Sequence, residues 1–419
     1  MMITRIRAKR YKCLVDVDVR LGPVNVLVGP NAAGKTTLLD VVEFVRDALN
    51  MDGDVERAVR RRARELRELL WQHNESSFEF AIEAQVPRPP GNGDGDCGPS
   101  RVRYVVSVGV GSDGAITVVD ERAFAASEER SVEGPAAQAP LFDSDEPSTP
   151  AASGRDNETT WELLLRRTAG GNSMFVARRS AANWPYRTAP NRLALSAVPE
   201  DADRFSAVIF LRDLLRDRIQ SLQLNSVAMR APCPPDAPRA FQPDGSNLPI
   251  LVRRLRKDAP TRFRWWLDHL RTVLGDLTDL DAPEQPHDRH LYLEATFRDG
   301  LKVPSWLLSD GTLRLMALTL LAYLPPEGDV YVVEEPENGV HPKAVEAVVQ
   351  SLSSVYEGQV FMATHSPLIV GLVEPEKLLL FSRTEDGGTT IVPGTEHPRL
   401  KEWLRGAPLS ELFAAGVLG

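Results

Sequence analysis

The feature that most constrains the fold is an eight-residue run near the N-terminus, Gly29–Thr36, with the pattern G-x-x-x-x-G-K-[ST]. The apolar run Val24–Val28 precedes it, as expected of a short strand that is buried on both faces. After Lys35 the apolar residues take the spacing of an amphipathic helix. A strand that enters a glycine-bounded loop and continues as a helix favours an α/β fold.

The residue types of this loop fit the binding of phosphate groups. Backbone N–H groups of a tight loop can surround a β-phosphate, and glycine permits the close approach. The helix that follows presents the positive end of its dipole to the same place. In this motif the Lys35 ammonium reaches the β- and γ-oxygens and the Thr36 hydroxyl ligates Mg²⁺. The predicted nucleotide-binding residues are Gly29, Pro30, Asn31, Ala32, Ala33, Gly34, Lys35, Thr36 and Thr37.

Two adjacent acids, Glu334 and Glu335, end a second apolar run that begins at Val330. A strand end beside the phosphate loop can aim one carboxylate at Mg²⁺. The next carboxylate can orient the attacking water as a general base. Taken alone, such a pair is more often a solvated turn, but the phosphate loop upstream favours a site. We therefore predict that Glu334 supports the metal and that Glu335 activates water.

Two further features fall between and after these elements. His365 follows the apolar run Phe361–Thr364, and at that strand end its imidazole can hydrogen-bond a γ-phosphate. Ser309, Asp310 and Gly311 open a helix and offer a cap and exposed N–H groups. Each has a purely structural alternative: a core or loop histidine in the first case, and a well-capped helix in the second.

Composition excludes some classes of protein. The 419 residues carry a net charge of −9, which argues against a protein that coats nucleic acid or membranes non-specifically. Cys13, Cys97 and Cys233 are too far apart for a disulfide framework or a zinc cluster. The most apolar stretch, Leu315–Leu324, is far shorter than a membrane span, and no apolar signal segment follows the basic N-terminus. These features predict a cytoplasmic protein without a membrane partner.

Strands alternate with helices in both terminal portions, and the middle portion is predicted to be mostly helical. This pattern suggests one α/β domain that is split by an insertion. A second helix is expected from about Val55 to Leu70. The predicted units are residues 1–86, a hairpin with a flexible acidic and proline-rich loop at 87–160, the helical insertion at 161–288, and residues 289–419.

The order of these elements resembles that of the ATP-binding cassette (ABC) ATPases. The corresponding segments are Gly29–Thr36 for Walker A, Ser309–Gly311 for the signature motif, Val330–Glu335 for Walker B with its following glutamate, Glu337–His341 for the D-loop, and His365 for the switch histidine. Tyr11–Lys12, the Ser-Asp-Gly form of the signature and Asp244–Leu248 are similar to the OLD/RecF/SMC-like AAA-family ATPases of phage defence and DNA repair.

The resemblance implies a P-loop NTPase fold of the ABC type, in which flanking helices cover a mixed sheet and a mostly helical insertion interrupts it. It implies ATP and Mg²⁺ as cofactors and hydrolysis to ADP and phosphate, with Lys35, Glu335 and His365 as catalytic residues. Ser309, Asp310 and Gly311 would contact the nucleotide held by a second copy, in a head-to-tail homodimer. Glu334 stands where many relatives have Asp, and it would hold Mg²⁺ directly or through water. Gln223 is the candidate for the Q-loop glutamine.

Possible partners follow from what surrounds these motifs. Few residues follow His365, so we expect no TOPRIM nuclease domain and instead a separate nuclease or toxin effector. Residues 204–275 contain thirteen basic and six acidic residues, which suggests a surface for double-stranded DNA, although solvated helix faces explain it equally. For Trp265–Trp266, core packing is favoured over base stacking. Alternative functions are a transporter-type ATPase subunit and a nucleotide-dependent scaffold with negligible hydrolysis.

Overall fold

The computed structural model describes residues 2–87, 100–111, 113–126, 161–167, 172–176, 183–326 and 328–397. Most of the predicted acidic and proline-rich loop lies outside the described residues, as does Cys97.

Strands and helices alternate over both ends of the chain. The strands are β1 (Met2–Tyr11), β2 (Leu14–Arg20), β3 (Val24–Val28), β4 (Ser77–Gln85), β5 (Arg101–Val110), β6 (Ile116–Ala126), β7 (Trp161–Arg167), β8 (Asn172–Val176), β9 (Asn183–Arg187), β10 (Ile219–Leu222), β11 (Leu277–Asp281), β12 (Glu294–Phe297), β13 (Lys302–Pro304), β14 (Val330–Glu334), β15 (Gln359–Thr364), β16 (Leu378–Arg383) and β17 (Thr389–Pro393). The helices are α1 (Lys35–Asn50), α2 (Val55–Arg60), α3 (Ala202–Asp217), α4 (Ser226–Arg230), α5 (Leu248–Asp258), α6 (Pro260–Val273), α7 (Asp310–Leu320), α8 (Pro342–Ser353) and α9 (Pro367–Leu372).

These strands form three sheets. The first has eight antiparallel strands in the order β2-β1-β4-β5-β6-β7-β8-β9. The second has six strands in the order β10-β14-β15-β3-β16-β17, and all its neighbours are parallel except β16 and β17. The third, β11-β12-β13, is antiparallel. The second sheet is therefore mixed, as predicted.

The six-stranded sheet separates two hydrophobic cores. Because side chains alternate along a strand, Leu27 of β3 packs into the core shared by α1, α3 and the eight-stranded sheet. Its neighbours Val26 and Val28 pack into the other core, which contains α5 to α8. All five residues of β3 are buried. The phosphate loop thus follows a strand that is buried along its whole length.

One expectation from the sequence was wrong. The second helix, predicted to reach Leu70, ends at Arg60 and is followed by a separate 3₁₀ turn at Leu66–Leu69. Between them Arg62 turns inward to pair with two buried aspartates. The middle portion contains the helices α3 to α6, as expected, but it begins with the strands β7 to β9, because β7 pairs with β6 and continues the sheet. The division of the chain into units stays a prediction, although the eight-stranded sheet spans the positions 86/87 and 160/161.

Candidate nucleotide-binding site

The phosphate loop lies at the carboxyl edge of β3, where β16 and β17 press against it. At Gly29 a Cβ would collide with the Phe381 carbonyl oxygen of β16, so only glycine fits. Gly34 has a φ of 102°, a left-handed conformation that favours glycine, and it is the N-cap of α1. Asn31 and Ala32 are exposed at the tip of the loop. The tip is therefore open to a ligand while both ends of the loop are fixed.

Lys35 is folded back onto its own loop. Its Nζ donates to the carbonyl oxygens of Gly29 at 2.6 Å and Pro30 at 2.9 Å. Burial lowers the pKa of Lys35, and the nearby carboxylates of Glu335 and Glu334 act in the opposite direction. The ammonium group therefore lies within electrostatic reach of both acids, as the predicted site requires.

Thr36 joins the loop to the second predicted element. Its hydroxyl donates to Oε2 of Glu334 at 2.8 Å, across a separation of 298 residues in the chain. Glu334 ends β14, and the parallel strand β15 lies between β14 and β3. Because parallel strands place their carboxyl ends at one edge, the loop and the acid meet there.

Glu335 is held by three contacts from its surroundings. Its carboxylate accepts a hydrogen bond from the Asn338 amide and lies 3.1 Å from Nδ1 of His365. Its N–H donates to the Ala363 carbonyl oxygen at 2.7 Å. The φ of Glu335 is 48°, a left-handed conformation that costs a non-glycine residue about 1 kcal/mol and that persists where the surroundings impose it.

The signature residues lie at the start of α7, where they contact helix α4 and the turn that contains Gly339. Ser309 caps α7, where its hydroxyl oxygen accepts from the Thr312 N–H at 3.1 Å. Asp310 pairs with Arg230 of α4 at 2.5 Å. Both Ser309 and Asp310 are exposed. At Gly311 a Cβ would lie 2.7 Å from the Gly339 carbonyl oxygen, so the helix start packs directly on the D-loop.

Gln223 directly follows β10, which pairs with β14 in a register that sets Leu222 opposite Val333. Gln223 is thus level with Glu334 at the same sheet edge. Its N–H donates to the Pro243 carbonyl oxygen at 2.8 Å, next to the Asp244–Leu248 segment. In that segment Asn247 is fully buried and its amide donates to two carbonyl oxygens at 2.7 Å. The segment therefore supports the loop that carries Gln223.

Helix α1 is anchored to the antiparallel sheet through Asp40. This carboxylate accepts from the Tyr11 hydroxyl at 2.6 Å, from Lys12 at 2.5 Å and from Arg62 at 2.5 Å. Burial alone would raise the pKa of Asp40, but Arg62 and Lys12 hold it below its usual value. The aromatic–basic pair noted in the sequence therefore contacts the phosphate-loop helix.

Five residues that the sequence predicted for the site lie together at this edge: Lys35, Thr36, Glu334, Glu335 and His365. Sequence reasoning missed the contact of Asn338 with Glu335 and the roles of Asp40 and Arg230. The spacing of Asn338, three residues after Glu335 in a turn, is the local signal that could have pointed to it. Asp40 and Arg230 act through contacts that no local pattern encodes.

The comparisons with known proteins agree with this geometry. Residues 24–91 and 141–371, more than half of the chain, match the family described as "AAA domain, putative AbiEii toxin, Type IV TA system". The chain belongs to this family. The matched ranges include the phosphate loop, both carboxylates and the histidine.

Individual relatives are more distant. Over 44 residues the chain is 48% identical to an OLD nuclease of Thermus scotoductus, a stretch that makes up 10% of this chain and 8% of that protein. A crystal structure of an Smc head bound to the C-winged helix domain of ScpA has a TM-score of 0.50 at 14% identity and covers 94% of this chain and 97% of that one. An Smc head from Pyrococcus furiosus, bound to the C-terminal domain of ScpA, has a TM-score of 0.47 at 12% identity over 96% and 99%. The predicted resemblance to OLD/SMC-like ABC-type ATPases and the fold class are confirmed.

The donors at the sheet edge fit Mg²⁺. The Thr36 hydroxyl and the Glu334 carboxylate are hard oxygen ligands that lie 2.8 Å apart. Mg²⁺ is commonly bound by one or two protein oxygens together with substrate phosphates and waters, rather than by a full protein cage. In keeping with this, the described residues contain no group of three or more His, Cys, Asp or Glu arranged for a metal. None of the helices in the described ranges is long and apolar enough to cross a membrane.

Proposed function

We propose that the chain is an ATP-hydrolysing molecular switch of the OLD/RecF-like ABC class. The observation that carries this proposal is the hydrogen bond between Thr36 and Glu334. It joins the phosphate loop to the Walker B-like strand where a magnesium-bound triphosphate would lie. The family and the fold support the same conclusion.

The side chains have complementary tasks in this reaction. Lys35 would exchange the carbonyl oxygens of Gly29 and Pro30 for β- and γ-phosphate oxygens. Thr36 and Glu334 would hold Mg²⁺, which neutralises charge on the phosphate oxygens when bound. Phosphoryl transfer needs positioning and charge stabilisation more than covalent chemistry, and these groups supply both.

Glu335 would accept a proton from the attacking water. The Asn338 amide and the His365 ring fix its carboxylate, so one group is oriented from two sides. His365 is half exposed, with 51% of its side chain accessible, and it would hydrogen-bond the γ-phosphate when nucleotide is present. Because His365 contacts Glu335, a movement of the His365 ring toward the γ-phosphate would also move the general base.

The exposed position of Ser309 and Asp310 supports a head-to-tail homodimer. In the single chain the Ser309 hydroxyl hydrogen-bonds Thr312 of its own helix. A second copy would bring these residues and Gly311 to the nucleotide, and hydrolysis would release the dimer. A separate effector, a nuclease or a toxin, would then bind differently to the closed dimer and to the released subunits, in phage defence or DNA repair. The likeness to an OLD nuclease and to Smc heads that bind ScpA favours such a partner.

The variant Glu335→Gln tests the catalytic assignment. It keeps the shape and the Asn338 contact but removes the base, so we expect ATP binding to persist and phosphate release to fall by about 100-fold or more. Light scattering with ATP should then find a trapped dimer. Glu346→Gln, on the exposed face of α8, is the matched control and should keep wild-type turnover.

Unchanged turnover of Glu335→Gln would remove Glu335 from the mechanism. Tight ATP binding by the wild type without phosphate release would instead make the protein a nucleotide-dependent scaffold. Co-purification with a membrane complex would favour the transporter-type alternative.

A second part of the proposal concerns double-stranded DNA. Trp265 has 61% of its surface exposed on α6, where the adjacent Arg264 is also exposed, whereas Trp266 is fully buried. An exposed tryptophan suits stacking on an unpaired base at a duplex end or overhang, and exposed basic side chains suit phosphate contacts. Phosphate release should therefore rise with duplex DNA, and a mobility shift should appear at low salt. DNA-independent turnover without a mobility shift would exclude the DNA contact.

A further inference from the structure

The hairpin β16–β17 supports the phosphate loop from outside the site. Thr389, the first residue of β17, is 8% exposed. Its Oγ1 donates to the Ala33 carbonyl oxygen at 3.0 Å, and its N–H donates to the Cys13 carbonyl oxygen at 2.9 Å. A Cβ at Gly34 would collide with the Thr389 hydroxyl. One threonine therefore joins the loop to the turn between β1 and β2.

The contact with Ala33 has a geometric effect on the inner side of the loop. The Ala33 carbonyl and the Gly34 N–H belong to one planar peptide group, and in a trans peptide they point in opposite directions. A hydroxyl that holds the carbonyl from outside therefore also fixes the direction of the N–H. Gly34, at a φ of 102° and without a side chain, has few other restraints on that orientation.

We propose that Thr389 is a positioning residue for nucleotide binding: its hydroxyl aims the Gly34 N–H at the β-phosphate. This inference rests on the proposed function, because it assumes a nucleotide in the loop. The inference gives the hairpin β16–β17 a role in phosphate recognition, although Thr389 and Ala33 are separated by 356 positions in the chain.

A purely structural role for Thr389 would give a different result. If the hydroxyl only stabilised the fold, its loss would lower the free energy of unfolding and leave nucleotide affinity unchanged. Thr389→Val keeps the shape and removes the donor, whereas Thr389→Ser keeps the donor. Thr390 is exposed on the other face of β17, so Thr390→Val is the matched control.

The test measures the Kd of a fluorescent ADP with Mg²⁺ on the full chain. Losing one hydrogen bond to an oriented loop predicts a Kd on the order of tenfold higher for Thr389→Val. Thr389→Ser should stay within about threefold of the wild type because it retains the donor. Thr390→Val should bind as the wild type does. The ³¹P resonance of the β-phosphate in bound ADP should shift more than that of the α-phosphate in Thr389→Val.

A wild-type Kd for Thr389→Val would overturn the inference. Equal weakening by Thr389→Ser would also overturn it, because the donor would then not be the cause. If Thr389→Val does not fold, Thr389→Ala, which also lacks the donor, takes its place: a raised Kd with a shifted β-phosphate resonance supports the inference, and a wild-type Kd and spectrum contradict it. If the folded wild type binds neither Mg-ADP nor Mg-ATP, the proposed function fails instead.

Discussion

The anchor between the phosphate-loop helix and the antiparallel sheet gives the sharpest stability prediction. Asp40 on α1 is 7% exposed and accepts hydrogen bonds from Tyr11, Lys12 and Arg62. The variant Asp40→Asn keeps the volume and one acceptor oxygen but removes the negative charge. It leaves two cations without their common partner.

The magnitude follows from what each cation can do next. The Arg62 side chain is 9% exposed and retains Asp47 at 3.0 Å, so it keeps one of its two pairs. Lys12 is 33% exposed and can turn toward water. Removing one member of a buried ion pair costs about 3–5 kcal/mol. Because Arg62 keeps Asp47 and Lys12 can be solvated, we expect the free energy of unfolding to fall by about 3 kcal/mol.

Urea unfolding followed by circular dichroism measures this loss. Asp16→Asn is the matched control, since Asp16 pairs with Arg7 at 3.3 Å on the same sheet but is half exposed. A surface pair of this kind contributes about 0.5 kcal/mol. A loss of stability in Asp40→Asn no larger than that in Asp16→Asn would refute the reasoning.

The same carboxylate predicts a dependence on pH. The pKa of Asp40 is lowered in the folded protein, despite burial, by Arg62 and Lys12. Its contribution is therefore complete above the pKa of an unfolded aspartate, about 3.9, and is lost as the pH falls through the folded value. The difference in stability between the wild type and Asp40→Asn should shrink below about pH 4.

Two further predictions concern partners. In a head-to-tail dimer, Lys35→Ala and Ser309→Arg should each abolish turnover. An equimolar mixture of the two variants should recover about a quarter of the wild-type rate, because half of the dimers are mixed and each mixed dimer has one intact site out of two. A mixture as inactive as its components would contradict shared sites. Trp265→Ala should weaken binding to a duplex with a single-stranded overhang by about tenfold, as expected for one lost stacking contact. Tyr356→Ala removes a similarly exposed aromatic residue elsewhere, and an equal effect there would argue against a specific role for Trp265.

Local patterns predicted the parts of the site that local geometry determines. The glycine pattern around Lys35 and the apolar runs before Glu334 and His365 are contiguous in sequence. Because parallel strands end at one edge, their last residues converge without any knowledge of long-range contacts. These predictions needed only the type and direction of each strand.

Other parts depend on pairings between distant segments. The run at 161–167 has a leucine-rich pattern that suits a helix as well as a strand, and only its pairing with β6 decides between them. The bond from Thr389 to Ala33 depends on the position of the last hairpin. The position of Gln223 beside Glu334 depends on the register between β10 and β14. None of these has a signature within a short window.

The position of β10 has a mechanical consequence. This strand has four residues and ends the row of the six-stranded sheet, with β14 as its single neighbour there. Gln223, which follows β10, donates its N–H to the Pro243 carbonyl oxygen, in the segment that leads into the basic helix α5. This hydrogen bond connects the edge strand to the helical region. Helices α5 and α6 also share a core with Val26 and Val28 of β3, the strand that precedes the phosphate loop. A displacement of these helices would therefore act on the nucleotide-binding edge both through the outermost strand β10 and through the centre of the sheet.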